Sequence, residues 1–250
     1  MCIHVQSITY MHPDKDVLFS NVSFTISKGK KVALIGNNGS GKSTLMRLIT
    51  KELLPSEGQI ICPDIPYSIP QHFGQFNHLT VAGALGIERK LYALHAILQG
   101  DASIEHFTAL ADDWKIEEKA VAALNEWGLV GVPLSYPMHL LSGGEKTKVF
   151  LAGITIYSPA FILMDEPTNG LDIPSKSQFR KVIASAFDEN KCILISTHQV
   201  RDLESLIDPI IILDRNQVLL NNTVEEISNK LLFTYSTTRP EDALFTEQTM

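Results

Sequence analysis

The stretch that most constrains this chain is "GNNGSGKST", Gly36 to Thr44. It fits the pattern G-x-x-x-x-G-K-[ST] and sits in the right context. The apolar run "KVALI" precedes it, and Ser43 to Lys51 follows with helical spacing. Glycines let backbone N–H groups turn inward around an anion, and the following helix adds its positive end. Gly36, Asn37, Asn38, Gly39, Ser40, Gly41, Lys42, Ser43 and Thr44 are therefore read as a nucleotide-phosphate loop. Lys42 is placed to reach the β- and γ-phosphates, and Ser43 to ligate Mg²⁺. An ordinary glycine-rich turn would not require both flanking elements.

The rest of the chain is organised around that strand. "KVALIG" (30–36), "FILMDE" (161–166), "KCILIST" (191–197) and "DPIIILD" (208–214) are short, apolar and unalternating. That is the pattern of parallel strands covered on both faces. Helical spacing lies between them, as at Ser175 to Phe187, so an α/β core with ligand loops at the strand ends is expected. "IHVQSITY" and "NVSFTISKG" alternate, and predict antiparallel strands near the N-terminus. From about 75 to 140, "TVAGALGIERKLYALHAILQG" and "IEEKAVAALNEWGL" predict an inserted helical subdomain. The expected organisation is an ATPase domain over 1–230, with that insert, and a tail over 231–250.

Composition narrows the partners. The net charge is -7 and no dense Lys/Arg cluster occurs, so direct DNA binding is not expected. Cys2, Cys62 and Cys192 match no metal spacing, which suits a reduced, cytoplasmic setting. No charged-then-apolar leader and no run near the ~20 residues that span a bilayer is read. A membrane role would then need a second chain that crosses.

Two acids end one of the apolar runs. Asp165 stands where a nucleotide-dependent ATPase places its Mg²⁺-linked carboxylate, and Glu166 follows at the strand exit, where it could polarise water. Alone, an acidic strand end is commonplace; beside a phosphate loop it carries chemistry. His198 ends the next strand at the same sheet edge. Gln71 opens the helical insert, where a plain polar loop residue would serve equally. "LSGGE", Leu141 to Glu145, then has the form of a second anion-binding helix start, about a hundred residues after the first.

"GNNGSGKST", Gln71, "LSGGE", "FILMDEP", "NGLD" and "STHQ" occur in an order that resembles the ATP-binding cassette (ABC) family, over residues 3 to about 220. The resemblance implies a phosphate-loop NTPase that binds and hydrolyses MgATP. It implies head-to-tail pairing, as a homodimer or with another cassette. In such a pair Ser142, Gly143 and Gly144 of one chain cap the γ-phosphate held by the other. Asp165 resembles the metal-linked acid and Glu166 the catalytic base. His198 resembles the γ-phosphate sensor, and Gln71 the glutamine linking the metal site to the insert. Asp172 resembles the aspartate that meets the opposite subunit. The family's adenine-stacking aromatic has no direct counterpart; His12 stands at that point and Tyr10 two residues earlier. The usual last signature residue is Gln, and Glu145 is a common variant.

The front of the chain resembles an ABC-F cassette, a class of soluble two-cassette proteins that act on ribosomes. From "NGLDIPSKSQF" onward it resembles the ATPase subunit of a membrane exporter; a natural mixture and a recombinant chain both fit. The single cassette and the absence of a basic stripe favour the exporter motor, with a polytopic membrane subunit as partner and the ribosome as the alternative. An isolated cassette with no physiological partner also fits. The expected place is the cytoplasm, at the membrane face through that partner. Phe73, Phe76, Leu79 and Leu85 are expected either to floor a partner groove beside Gln71 or to form internal core. Phe233, Tyr235 and Phe245 in the tail are expected to pack on the cassette or on a partner.

Overall fold

A computed structural model describes residues 3–14, 16–185, 189–198, 203, 206–214 and 216–230. The tail from 231 to 250, Phe187 and Gln199 lie outside the described residues.

The alternating N-terminal segments form antiparallel strands β1 (Ile3–Met11) and β2 (Val17–Ile26). The expected strand "KVALI" is β3 (Lys31–Ile35), and helix α1 (Lys42–Ile49) follows the glycine-rich loop. Next come β4 (Glu57–Ile61), which completes a sheet of order β2-β1-β4, and the short β5 (Tyr67–Ile69). The insert holds α2 (Val81–Ala84), α3 (Glu88–Leu98), α4 (Ile104–Leu110) and α5 (Ile116–Glu126). Helix α6 (Gly143–Tyr157) returns the chain to β6 (Phe161–Asp165). Helix α7 (Ile173–Ser185), β7 (Cys192–Thr197), β8 (Ile210–Asp214), β9 (Gln217–Asn222) and α8 (Val224–Lys230) complete the order.

The main sheet runs β5-β6-β7-β3-β8-β9, parallel except for the antiparallel edge β9. Its central strands are covered on both faces, which explains their unalternating sequences. Ile162 and Met164 of β6, with Ile193 and Ile195 of β7, join the core shared with the insert. Phe161, Leu163, Cys192 and Leu194 face the core shared with α1 and the antiparallel sheet. At ~25 cal/mol per Å² of apolar surface, such two-sided burial is the main stabilising term. The C-terminal ends of β3, β6 and β7 thereby emerge side by side, and each delivers a motif.

Strands β4, β5 and β9 and helix α8 were not expected from the sequence, and α4 lies inside the expected helical insert without having been singled out there. β5 has only three residues and β4 is largely exposed, so neither carries a strong apolar signal. Leu85 is 3 % exposed and belongs to the core, so it does not floor a groove. Phe73, Phe76 and Leu79 are partly buried against that core. Phe73 and Phe76 both pack on Phe150 of α6, with ring centroids 5.2 Å and 4.7 Å away. Among the described residues no helix is long and apolar enough to cross a membrane.

Candidate functional site

The phosphate loop is shaped by what surrounds it. Gly41 has φ 93°, and a Cβ there would lie 2.6 Å from the Phe19 ring, so any side chain would be both strained and obstructed. As N-cap of α1, Gly41 also supplies no capping side chain. The first-turn amides of Lys42, Ser43 and Thr44 have no i−4 carbonyl within their helix and are left for an anion. Ser40 Oγ is buried without a hydrogen-bond partner among the described residues. A donor stranded there fits phosphate oxygens. Lys42, 7 % exposed, donates from Nζ to the carbonyls of Gly36 at 2.8 Å and Asn37 at 3.2 Å. The same Nζ lies 4.0 Å from Glu166 Oε1.

Asp165 ends β6, and Glu166 leaves it with φ 50°. Both acids are buried, at 8 % and 6 % exposure. The Ser196 hydroxyl donates to Asp165 Oδ1 and accepts the Glu166 N–H at 3.1 Å. Glu166 Oε2 lies 2.8 Å from His198 Nδ1 and accepts the His198 backbone N–H at 3.4 Å. A buried carboxylate is thus bracketed by an imidazole and an ammonium group. His198 also lines a cleft of about 420 Å³ with Gly36, Asn37, Asn38 and Asp214. The structure therefore brings together Lys42, Asp165, Glu166 and His198.

The second anion site is elsewhere. Ser142 caps α6 in a reciprocal box with Glu145. Ser142 N donates to Glu145 Oε2 at 2.8 Å, Ser142 Oγ donates to the same oxygen at 2.7 Å, and Glu145 N donates back to Ser142 Oγ at 3.3 Å. The Ser142 hydroxyl bond, then the backbone bond, hold the Glu145 carboxyl below its ordinary range. Gly143 lines a second cleft, about 350 Å³, with Gln71, His72, Lys146, Thr147, Asn169 and Gly170. Gln71 thus sits with the signature helix, and among the described residues no hydrogen bond joins it to Ser43 or Asp165. Asp172 accepts the Ser175 N–H at 2.9 Å and so caps α7 from an exposed position. Hydrogen bonds from Ser175, the hydroxyl first, lower its pKa.

Of the two adenine candidates, Tyr10 is 9 % exposed and packs in the core beneath the antiparallel sheet. His12 is half-buried, its ring 5.4 Å from that of Tyr10 and edge-on. Ser196 is the polar group at the site whose role sequence reasoning missed, whereas Ser40 was already read into the phosphate loop. Ser196 lies inside "KCILIST", where a serine in an apolar strand was the available signal.

A phosphate loop, adjacent buried acids and a second glycine-rich helix start define a P-loop ATPase of the cassette type. The family profile described as "ABC transporter" matches residues 19–169, and the chain belongs to that family. ATP binding and hydrolysis are its expected activity. It is 32% identical over 233 residues to a putative ABC transporter ATP-binding protein of Methanothermobacter marburgensis, covering 90% of this chain and 80% of that one. It is 27% identical to an energy-coupling factor transporter ATP-binding protein, EcfA2, of Methanospirillum hungatei, over 90% of this chain but 56% of that one. The chain thus spans little more than half of the latter relative. The solved structure of an ATP-binding subunit of an ABC transporter matches with TM-score 0.73 and 24% identity, over 92% of this chain and 93% of that one. A dimeric bacterial ABC transporter cassette matches with TM-score 0.66 and 21% identity, over 89% and 98%. These two structures share the fold.

Proposed function

We propose that this chain is the ATP-hydrolysing motor of an ABC transporter, working as a head-to-tail pair at the cytoplasmic face of a membrane. The observation that carries the reading is Glu166, buried between His198 and Lys42 where β6 opens beside the phosphate loop. Glu166 is the general base for the attacking water, and His198 orients its carboxylate. Lys42 neutralises charge developing on the transferred phosphoryl group. His12 is the adenine contact. Ser43 and Asp165, with Gln71 moving in from its cleft, would hold Mg²⁺, which supplies charge neutralisation at the phosphates. Ser142, Gly143 and Gly144 serve the ATP of the partner cassette, and Asp172 faces that cassette while capping α7.

The ATPase domain is taken as 1–230, with the helical subdomain at about 75–140. The exporter form of the reading rests on the sequence from Asn169 onward. The names of the relatives support a transporter ATPase and, in several cases, the energy-coupling factor type. None of these names favours the ribosome. The test is coexpression with the product of the neighbouring gene, which the reading requires to be a polytopic membrane protein. Copurification and ATPase stimulation by that subunit are expected. Salt-sensitive cosedimentation of Glu166→Gln with ribosomes in ATP, without membrane-subunit binding, would overturn the reading.

A further inference from the structure

We infer that Ser196 is a positioning residue that sets both carboxylates of the hydrolytic site. The inference rests on the roles given above to Asp165 and Glu166. β7 lies parallel to β6 with Ser196 opposite Asp165, and Ser196 is fully buried. The strand residues before it, Cys192 to Ile195, are apolar and fill the two cores. An apolar side chain would continue that packing, whereas a hydroxyl buried without partners is costly. This hydroxyl has two partners. It donates to Asp165 Oδ1 and accepts the Glu166 N–H at 3.1 Å. The Ser196 carbonyl accepts the same N–H at 3.2 Å.

Two consequences follow from that geometry. Donation to Oδ1 fixes the Asp165 carboxylate in one rotation and leaves Oδ2 without a protein hydrogen bond among the described residues. The paired grip on the Glu166 amide holds a non-glycine residue at φ 50°, a region such residues rarely occupy. That backbone turn brings the Glu166 side chain to His198. Ser196 near the end of β7 and His198 just beyond it therefore govern both acids: Ser196 takes Asp165 and His198 takes Glu166.

Ser196→Thr and Ser196→Val have the same shape and differ in the hydroxyl. Affinity for a fluorescent ATP analogue is measured in EDTA and then in saturating Mg²⁺, alongside kcat. In EDTA both variants should bind as the unmodified chain does. The affinity gained on adding Mg²⁺, and kcat, should each fall about tenfold in Ser196→Val and be largely kept in Ser196→Thr, the size typical of lost support behind a metal ligand. Ser196→Ala, which adds no bulk, should follow Ser196→Val. Asp165→Asn is the control and should abolish the Mg²⁺-linked gain. If it does, and the threonine and valine variants are alike, the role of Ser196 is overturned. If Asp165→Asn leaves the gain intact, the assignment of Asp165 itself fails, and the inference with it.

Discussion

At Glu166, charge, burial and backbone shape coincide. The carboxylate is 6 % exposed yet contacts two groups that carry or accept protons. Glu166→Gln keeps the side chain's shape and removes its basicity. It should still bind MgATP and lose turnover by about 10² or more, the usual weight of a positioned general base. Lys42→Ala should instead weaken nucleotide binding, because the loop loses its ammonium group. Nucleotide titration with phosphate-release assays separates the two; near-normal turnover in Glu166→Gln would remove it from the base role. Most of these residues were legible from sequence because glycine spacing and a strand-end acid pair have few other uses. Ser196 was not, since nothing in "KCILIST" reveals which neighbour its hydroxyl meets. Sequence ranked His12 only slightly ahead of Tyr10, because burial of one and partial exposure of the other depend on the tertiary packing of β1 and β2.

Elements tell a similar story. Helix α6 begins in a capping box that "LSGGE" spells out directly, so its start was readable. Glu145→Ala should destabilise the chain by about 0.5–1 kcal/mol at neutral pH, allowing for solvent screening of a half-exposed group. The Glu145 carboxyl titrates below its ordinary 4.5 in the folded chain. Its contribution is therefore fully present above that value and fades as pH falls through the lower native one. Urea unfolding at pH 7 and pH 3 checks this: the gap between the unmodified chain and the variant should close at the acid end. A gap unchanged at pH 3 would show that the charge is not what caps α6. By contrast, β5 was invisible because its meaning is tertiary. The Tyr67 hydroxyl donates to the Phe150 carbonyl at 2.8 Å across 83 residues of sequence, and burial raises its pKa. Phe73 and Phe76 then close on Phe150 from the other segment. Local pattern cannot disclose a contact whose partner lies on α6.

For the molecule as a whole, the two glycine-rich helix starts face different clefts. The phosphate loop shares one with His198, and Gly143 shares the other with Gln71 and Gly170. If each ATP is sandwiched between chains, Ser142→Arg and Lys42→Ala should each be inactive alone. Mixed, they form heterodimers with one intact composite site, and some activity should return. A mixing series at fixed total protein reads this, and steady turnover by a proven monomer would refute the pairing. The close approach of Gly144 to Gly170 then acquires a kinetic meaning. A Cβ on Gly144 would lie 2.6 Å from the Gly170 carbonyl oxygen, so signature helix and post-carboxylate loop touch backbone to backbone. In the proposed pair, one segment addresses the neighbour's nucleotide and the other follows Glu166 of the same chain. If the chains pair as proposed, this contact would work like an escapement: a shift of the loop after one base would move the cap over the other nucleotide, so that the two sites would act in turn. Gly144→Ala should wedge the segments apart, leaving single-site binding intact while abolishing cooperativity in ATP concentration, measured as a Hill coefficient falling to about 1.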